Sequence, residues 1–221
     1  MTTAERWKTF WSTKLNPLHP STSDEFYRLH AIELRILFGD KLPERVLELG
    51  CSDGAMFQFL GFDRVKYKGV DFSPHLLDMF KAKYPNVELE CCEASTYVDR
   101  EYKYDLIFSN AVVQYFDMPM VDSHFACARE MMHRDSLFVC GSIPWRHLRS
   151  YYHAGGLHGT NNPSMLRLAK STIATALFGD TIGYWYELRE IASLADKHGF
   201  SVRFYGSILY MYRFHAVMRL K

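Results

Sequence analysis

Val46-Leu47-Glu48-Leu49-Gly50-Cys51-Ser52-Asp53-Gly54 is an apolar run that closes on a turn of small residues. Such a pattern reads as a strand, a tight turn and the start of a helix. Gly50 and Gly54 remove Cβ atoms where backbone turns sharply or approaches a ligand, although two glycines in such a turn also arise for purely local reasons. The same texture repeats outward from this stretch. Candidate strands at 45–49, 67–70, 87–90, 106–108 and 137–140 alternate with helical stretches at 55–60, 74–83 and 119–133. Strands alternating with helices predict a parallel sheet covered on both faces. The last two candidates, 201–205 and 211–220, are separated only by 206–210, too short for a crossover helix, so they should pair antiparallel.

The 221 residues fit one domain spanning 1–221, and no Pro/Gly/Ser linker divides them. Residues 1–40 read as a helical cover. Ser21 and Asp24 offer a helix start, Phe26, Leu29, His30, Ile32, Leu37 and Phe38 follow, and Gly39 is the stop. Residues 142–185 break the strand–helix rhythm and read as a lid or substrate insertion. Within them Asn162 and Pro163 open a helix with Leu166, Ala169, Ile173 and Leu177 on one face, closed by Gly179.

A net charge of +1 gives no bulk attraction to nucleic acid or to an anionic membrane. No apolar run is long enough to span a bilayer, and the opening residues lack the apolar block of a secretory signal, so a cytoplasmic location is expected. Cys51, Cys91, Cys92, Cys127 and Cys140 have no metal-type spacing and read as reduced thiols. His147, His153 and His158 match no compact zinc pattern, so no metal is expected.

Asp71 ends the second strand in Gly69-Val70-Asp71-Phe72-Ser73-Pro74, where an acid can accept from both ribose hydroxyls of a nucleoside. A helix cap is the other role for Asp71, but Ser73 before Pro74 suits it better. Phe72 can lie against an adenine face and is equally an ordinary core aromatic. Glu93, in Cys92-Glu93-Ala94, brings another carboxylate to the same edge. The glycine loop lacks the G-x-G-x-x-G of a dinucleotide site and the Gly-Lys-Ser/Thr of a P-loop. Glu48 and Asp53 flank it with no Lys or Arg inside, which repels a diphosphate and suits the ammonium end of a methionine moiety.

These segments resemble the class I S-adenosylmethionine-dependent methyltransferases. Residues 48–54 are similar to the glycine-rich first motif and 70–74 to the second, with Asp71 as the ribose acid. Glu93 and Ala94 match the acid–alanine pair near the adenine, and 104–110, ending in Asn110, resembles the fourth-strand motif beneath the methionine part. Residues 185–200 look like the helix and Gly-Phe turn before the sixth strand. The resemblance implies a Rossmann-like α/β fold, a seven-stranded, mostly parallel sheet with an antiparallel C-terminal pair. It implies S-adenosylmethionine held by Glu48, Gly50, Ser52, Gly54, Asp71, Phe72, Glu93, Ala94 and Asn110. Ser52 stands where the family most often has a second glycine, which a serine can replace if its φ is negative.

Asn110 is followed by Ala111-Val112-Val113 rather than Pro-Pro-aromatic, and no Pro-Cys occurs, which argues against planar-amine and cytosine acceptors. Ser109-Asn110 also argues against metal-assisted catechol chemistry. The expected acceptor is a small molecule, with a hydroxyl of a sugar or secondary metabolite foremost and a small amine as the alternative. His147 is the preferred general base, with an exposed loop histidine as its plainer reading; Gln114, Tyr115 and His153 are candidate substrate contacts. Trp7, Phe10 and Trp11 are read as packing or a cover. A non-catalytic binding subunit is the rival function, an NAD-dependent oxidoreductase is disfavoured by the loop, and a homodimer stays open.

Overall fold

The computed structural model describes residues 5, 7, 9–11, 24–40, 43–62, 66–157 and 162–221; Ser21 and His158 lie outside the described residues. Seven strands form one sheet: β1 (Val46–Leu49), β2 (Tyr67–Asp71), β3 (Glu88–Cys91), β4 (Tyr104–Asn110), β5 (Met132–Pro144), β6 (Phe200–Gly206) and β7 (Arg213–Leu220). Their order is β3-β2-β1-β4-β5-β7-β6. β1 to β5 pair in parallel, while β7 runs antiparallel to both β5 and β6. The expected mixed sheet is therefore present, with the chain's last strand inserted between β5 and β6.

The helices include α1 (Asp24–Phe38), α2 (Phe57–Leu60), α3 (Pro74–Lys83), α4 (Met118–Glu130), α5 (Arg149–His153), α6 (Met165–Phe178) and α7 (Leu188–Lys197). Their starts follow local chemistry. Asp117 caps α4 by accepting from the Met120 amide (3.0 Å), and Glu187 and Glu190 form a capping box at α7. Ser73 occupies the cap position of α3 but its hydroxyl makes no cap bond; Pro74 at the first helical position presets the entry instead.

Two buried clusters sandwich the sheet. On one side Phe125 and Phe138 meet edge to face at 5.5 Å, with Phe200 against both. On the other, α1 and α3 bring Leu34, Phe38 and Phe80 against Val46, Phe108 and Val139. Each fully buried Phe or Leu contributes about 1.5–3 kcal/mol, so the two faces hold the strand ends rigidly in place.

β5 runs four residues past the expected end at Cys140, through Gly141, Ser142, Ile143 and Pro144. It manages this with a bulge: Cys140 and Ile143 pair with Ala216 and Phe214, so β5 carries one residue more than β7 there. Ser142, inside the bulge, has φ +57°.

A candidate ligand site at the strand ends

A cavity of about 320 Å³ opens beyond the C-terminal ends of β1, β2 and β4, the crevice where open α/β sheets bind ligands. Glu48, Gly50, Ser52, Asp71, Phe72, Glu93, Ala94 and Asn110 all line it. Gly54, expected beside them, does not. Its φ of +70° and the Phe80 ring, 2.4 Å from where a Cβ would stand, make it a packing glycine under the loop.

Gly50 is the glycine the cavity needs. It has φ +85°, and an added Cβ would lie 2.3 Å from Val112 Cγ2. The Gly50 and Cys51 amides both donate to the Val70 carbonyl (2.7 and 3.0 Å), tying the loop to β2. Asp71 completes the tie, its Oδ2 accepting from the Ser52 amide (3.0 Å) and its Oδ1 from the Ser73 amide (2.9 Å). Each oxygen keeps lone-pair capacity for a ligand donor.

Ser52 does not meet the condition of a negative φ: it sits at +52°, in the left-handed region. That region costs a non-glycine residue about 1–2 kcal/mol, partly offset by the ~0.5–1 kcal/mol of chain entropy that a glycine loses on folding. Ser52→Gly is therefore expected to raise stability by up to about 1 kcal/mol without weakening ligand binding, as read by thermal unfolding and titration. A lower unfolding temperature would show that the serine hydroxyl matters more than the strain.

The charges differ from the simple picture of two flanking carboxylates. Asp53 is buried and paired with Lys83 from α3 (2.8 Å), a cation that the loop sequence does not reveal. Glu48 is buried with the Tyr67 hydroxyl donating to its Oε2, and burial pushes its pKa up to about 8. Burial also raises Asp71, against the lowering effect of its two amide donors. Asn110 Oδ1 lies over Gly141, buried and without a hydrogen-bond partner among the described residues. An orphaned acceptor on a cavity wall fits a ligand bearing donors.

The other half of the cavity is walled by Trp7, Trp11, Phe26, Tyr27, His30, Tyr115 and Tyr210. Trp7 packs on Tyr115 with centroids 4.9 Å apart. His30, from the inward face of α1, places Nε2 3.0 Å from Ser142 Oγ. Burial lowers its pKa to about 4, with Glu33 opposing and His215 and Arg213 reinforcing the shift. Behind it, Arg213 donates to the Ser142 carbonyl (2.7 Å), and the Ser142 amide is 3.2 Å from His215 Nδ1. The bulge in β5 thus presents Ser142 to a buried polar group.

Three expected residues stand elsewhere. His147 is exposed on a surface turn, 5.6 Å from the Trp145 ring, and does not line the cavity, so it is not placed to act as base there. His153 lies between Asp180 Oδ2 (3.0 Å) and Ser171 Oγ (2.7 Å) and fastens α5 to α6. Gln114 is buried beside the cavity, its amide donating to the Ala111 carbonyl (2.9 Å). Tyr115 alone of the candidate substrate contacts lines the cavity. His30 was legible only as one residue of α1's buried face; no motif marks it.

Residues 46–135 match a family model described as a methyltransferase domain. An 87-residue stretch is 36% identical to malonyl-[acyl-carrier protein] O-methyltransferase 1 of Ilyobacter polytropus, covering 37% of this chain and 32% of that protein. The match thus spans about a third of that relative's length. Magnesium protoporphyrin IX methyltransferase from Synechocystis PCC 6803, solved with bound S-adenosylmethionine, superimposes with a TM-score of 0.64 at 10% identity, covering 100% of this chain and 98% of that one. A TehB-like S-adenosylmethionine-dependent methyltransferase from Corynebacterium glutamicum gives 0.58 at 16% identity, covering 99% and 96%.

Proposed function

We propose, from the match of residues 46–135 to a methyltransferase domain model and the methyltransferase-like fold of the whole chain, that this is an enzyme that methylates a hydroxyl of a small, flat secondary metabolite, with S-adenosylmethionine as donor. The observation that carries this reading is the division of one cavity into a carboxylate-rich end over β1 and β2 and an aromatic end holding a single neutral imidazole. When bound, S-adenosylmethionine supplies an electrophilic methyl group on a sulfonium sulfur. Asp71 would hold its ribose hydroxyls, Phe72 and Ala94 the adenine, and Glu48 and Asn110 the amino-acid end.

In the tautomer that donates from Nε2 to Ser142 Oγ, His30 has its Nδ1 lone pair available, with no partner among the described residues. That nitrogen would take the proton of the acceptor hydroxyl as the new O–C bond forms and the methyl–sulfur bond breaks, the electron pair of that bond going to the sulfur. Asn110 pairs with Gly141, next to Ser142, so His30 stands one strand beyond the donor's methionine end. The cavity's carboxylates, Glu48, Asp53, Asp71 and Glu93, all belong to the donor end. The neutral imidazole among the aromatic rings suits a hydroxyl, whose proton it can accept, and tryptophan and tyrosine walls favour a planar acceptor over a sugar.

Glu48 gives a direct test. With its pKa near 8 it holds a proton at pH 7, and the donor's ammonium group favours the ionised form. Donor binding at pH 7 should therefore release close to one proton, and affinity should rise as pH rises to about 8 and then level off. Calorimetric titration in two buffers of different ionisation enthalpy measures this release; equal heats in both would place Glu48 outside the donor site. Label transfer from methyl-labelled donor to a panel of phenols, sugars and amines tests the reaction itself. Labelled phenols are expected, and donor binding without transfer to any acceptor would favour a non-catalytic role.

A further inference from the structure

α6 is built inside out. Met165, Leu166, Ile173 and Leu177, with Ala169 between them, fall within one side of the helix, and the four large residues are 62–79% exposed. The side facing the protein carries Leu168, Ser171 and Thr175, which are only half-buried. Polar bonds fix this orientation: Ser171 Oγ meets His153 (2.7 Å), and Asp180 Oδ2 holds His153, Arg149 and the Trp185 indole at 3.0, 3.0 and 2.9 Å. Rotating the helix to bury its apolar side would break that anchor.

The stretch of chain that carries it has charge of one sign. Between Asp135 and Asp180 the sequence contains Arg146, Arg149, Arg167 and Lys170 and no acid. Arg146 and Arg149 are paired with Glu190 and Asp180 (2.9 and 3.0 Å). Arg167 and Lys170, exposed on α6 itself, have no acidic partner among the described residues.

We propose that α6 docks in the plane of an anionic lipid surface, its apolar side entering the headgroup boundary and Arg167 and Lys170 meeting lipid phosphates. A second copy of the chain fits this face less well, because two copies apposed along α6 would set these cations against each other with no acid on either helix. The association is peripheral: among the described residues no helix is long and apolar enough to cross a membrane. It adds a location to the cavity's chemistry without depending on it.

Co-sedimentation of the full chain with vesicles of phosphatidylcholine and phosphatidylglycerol in equal parts tests this, with phosphatidylcholine alone as comparison. The expected result is binding to the mixed vesicles that falls at least about tenfold on neutral ones, following the electrostatic share of such binding. Ile173→Asp, or Leu166→Asp should the first variant be poorly folded, is expected to reduce it by a similar factor, as is the Arg167→Glu/Lys170→Glu pair. Unchanged thermal unfolding in these exposed-site variants separates lost docking from lost folding. A chain that stays in the supernatant, or that binds both vesicle types equally, overturns the proposal. So does a dimer in sedimentation equilibrium that Ile173→Asp dissociates, since a second copy would then own the face.

Discussion

His30→Ala is expected to lower kcat for methyl transfer by about 10²- to 10⁴-fold, the usual worth of a positioned general base, while leaving donor affinity nearly unchanged. The split follows from position: His30 belongs to the aromatic end of the cavity, and no donor-side residue bonds to it. A merely structural role predicts something else, a lower unfolding temperature with kcat intact in the folded fraction. The pH profile separates the two further. Because burial holds His30 near 4, the imidazole stays neutral and able to accept a proton down to that pH. The acid limb of kcat should therefore fall near pH 4 rather than near 6.5, the ordinary histidine value. Stability follows the same sign: a histidine lowered on folding stabilises above 6.5, and that contribution is lost as pH falls towards 4. A limb near 6.5 that survives His30→Ala would return the role of base to another histidine.

Asp71→Ala is expected to weaken donor binding by about 1.5–3 kcal/mol, the worth of hydrogen bonds to a charged group, or roughly ten- to a hundredfold in Kd. The structure adds a reason beyond ribose contact. Asp71 also accepts from the Ser52 and Ser73 amides, so its removal frees the glycine loop at the point where Ser52 is already strained. Asp71→Asn keeps an acceptor oxygen in place and should fall between wild type and Ala. Titration with S-adenosylhomocysteine measures both without turnover, and an unchanged Kd in Asp71→Ala would remove Asp71 from the donor site.

Much of this architecture was readable before any coordinates. The buried strands β1 and β4 are short, continuous apolar runs, and the 206–210 interval fixes the direction of β7 through chain length alone. The residues proposed to hold the donor were read from acids and small residues at strand ends together with the resemblance to methyltransferase motifs, and all of them but Gly54 line the cavity. The acceptor side was less legible, for physical reasons. The role proposed for His30 depends on Ser142, more than a hundred residues away, and on the bulge of β5 there. Gly141 and Pro144 are poor strand formers, so the sequence pattern ends β5 early. His147 and His153 attracted attention as loop histidines, yet a histidine's chemistry depends on what surrounds it, and local pattern does not report that. The φ of Ser52 was beyond reach because αL geometry is imposed by the Val70 and Asp71 bonds. For α6, periodicity found the apolar side but could not say which way it points.

The additional residue in β5 also separates two things that usually fail together. Deleting Ser142 would bring Cys140 and Ile143 into even step with Ala216 and Phe214, a simpler ladder than the native one. The sheet has every reason to assemble from such a chain, yet the imidazole on α1 would have lost its anchor and Arg213 its carbonyl. On the proposed reading, a single irregular residue divides an inert scaffold from one equipped to move a proton.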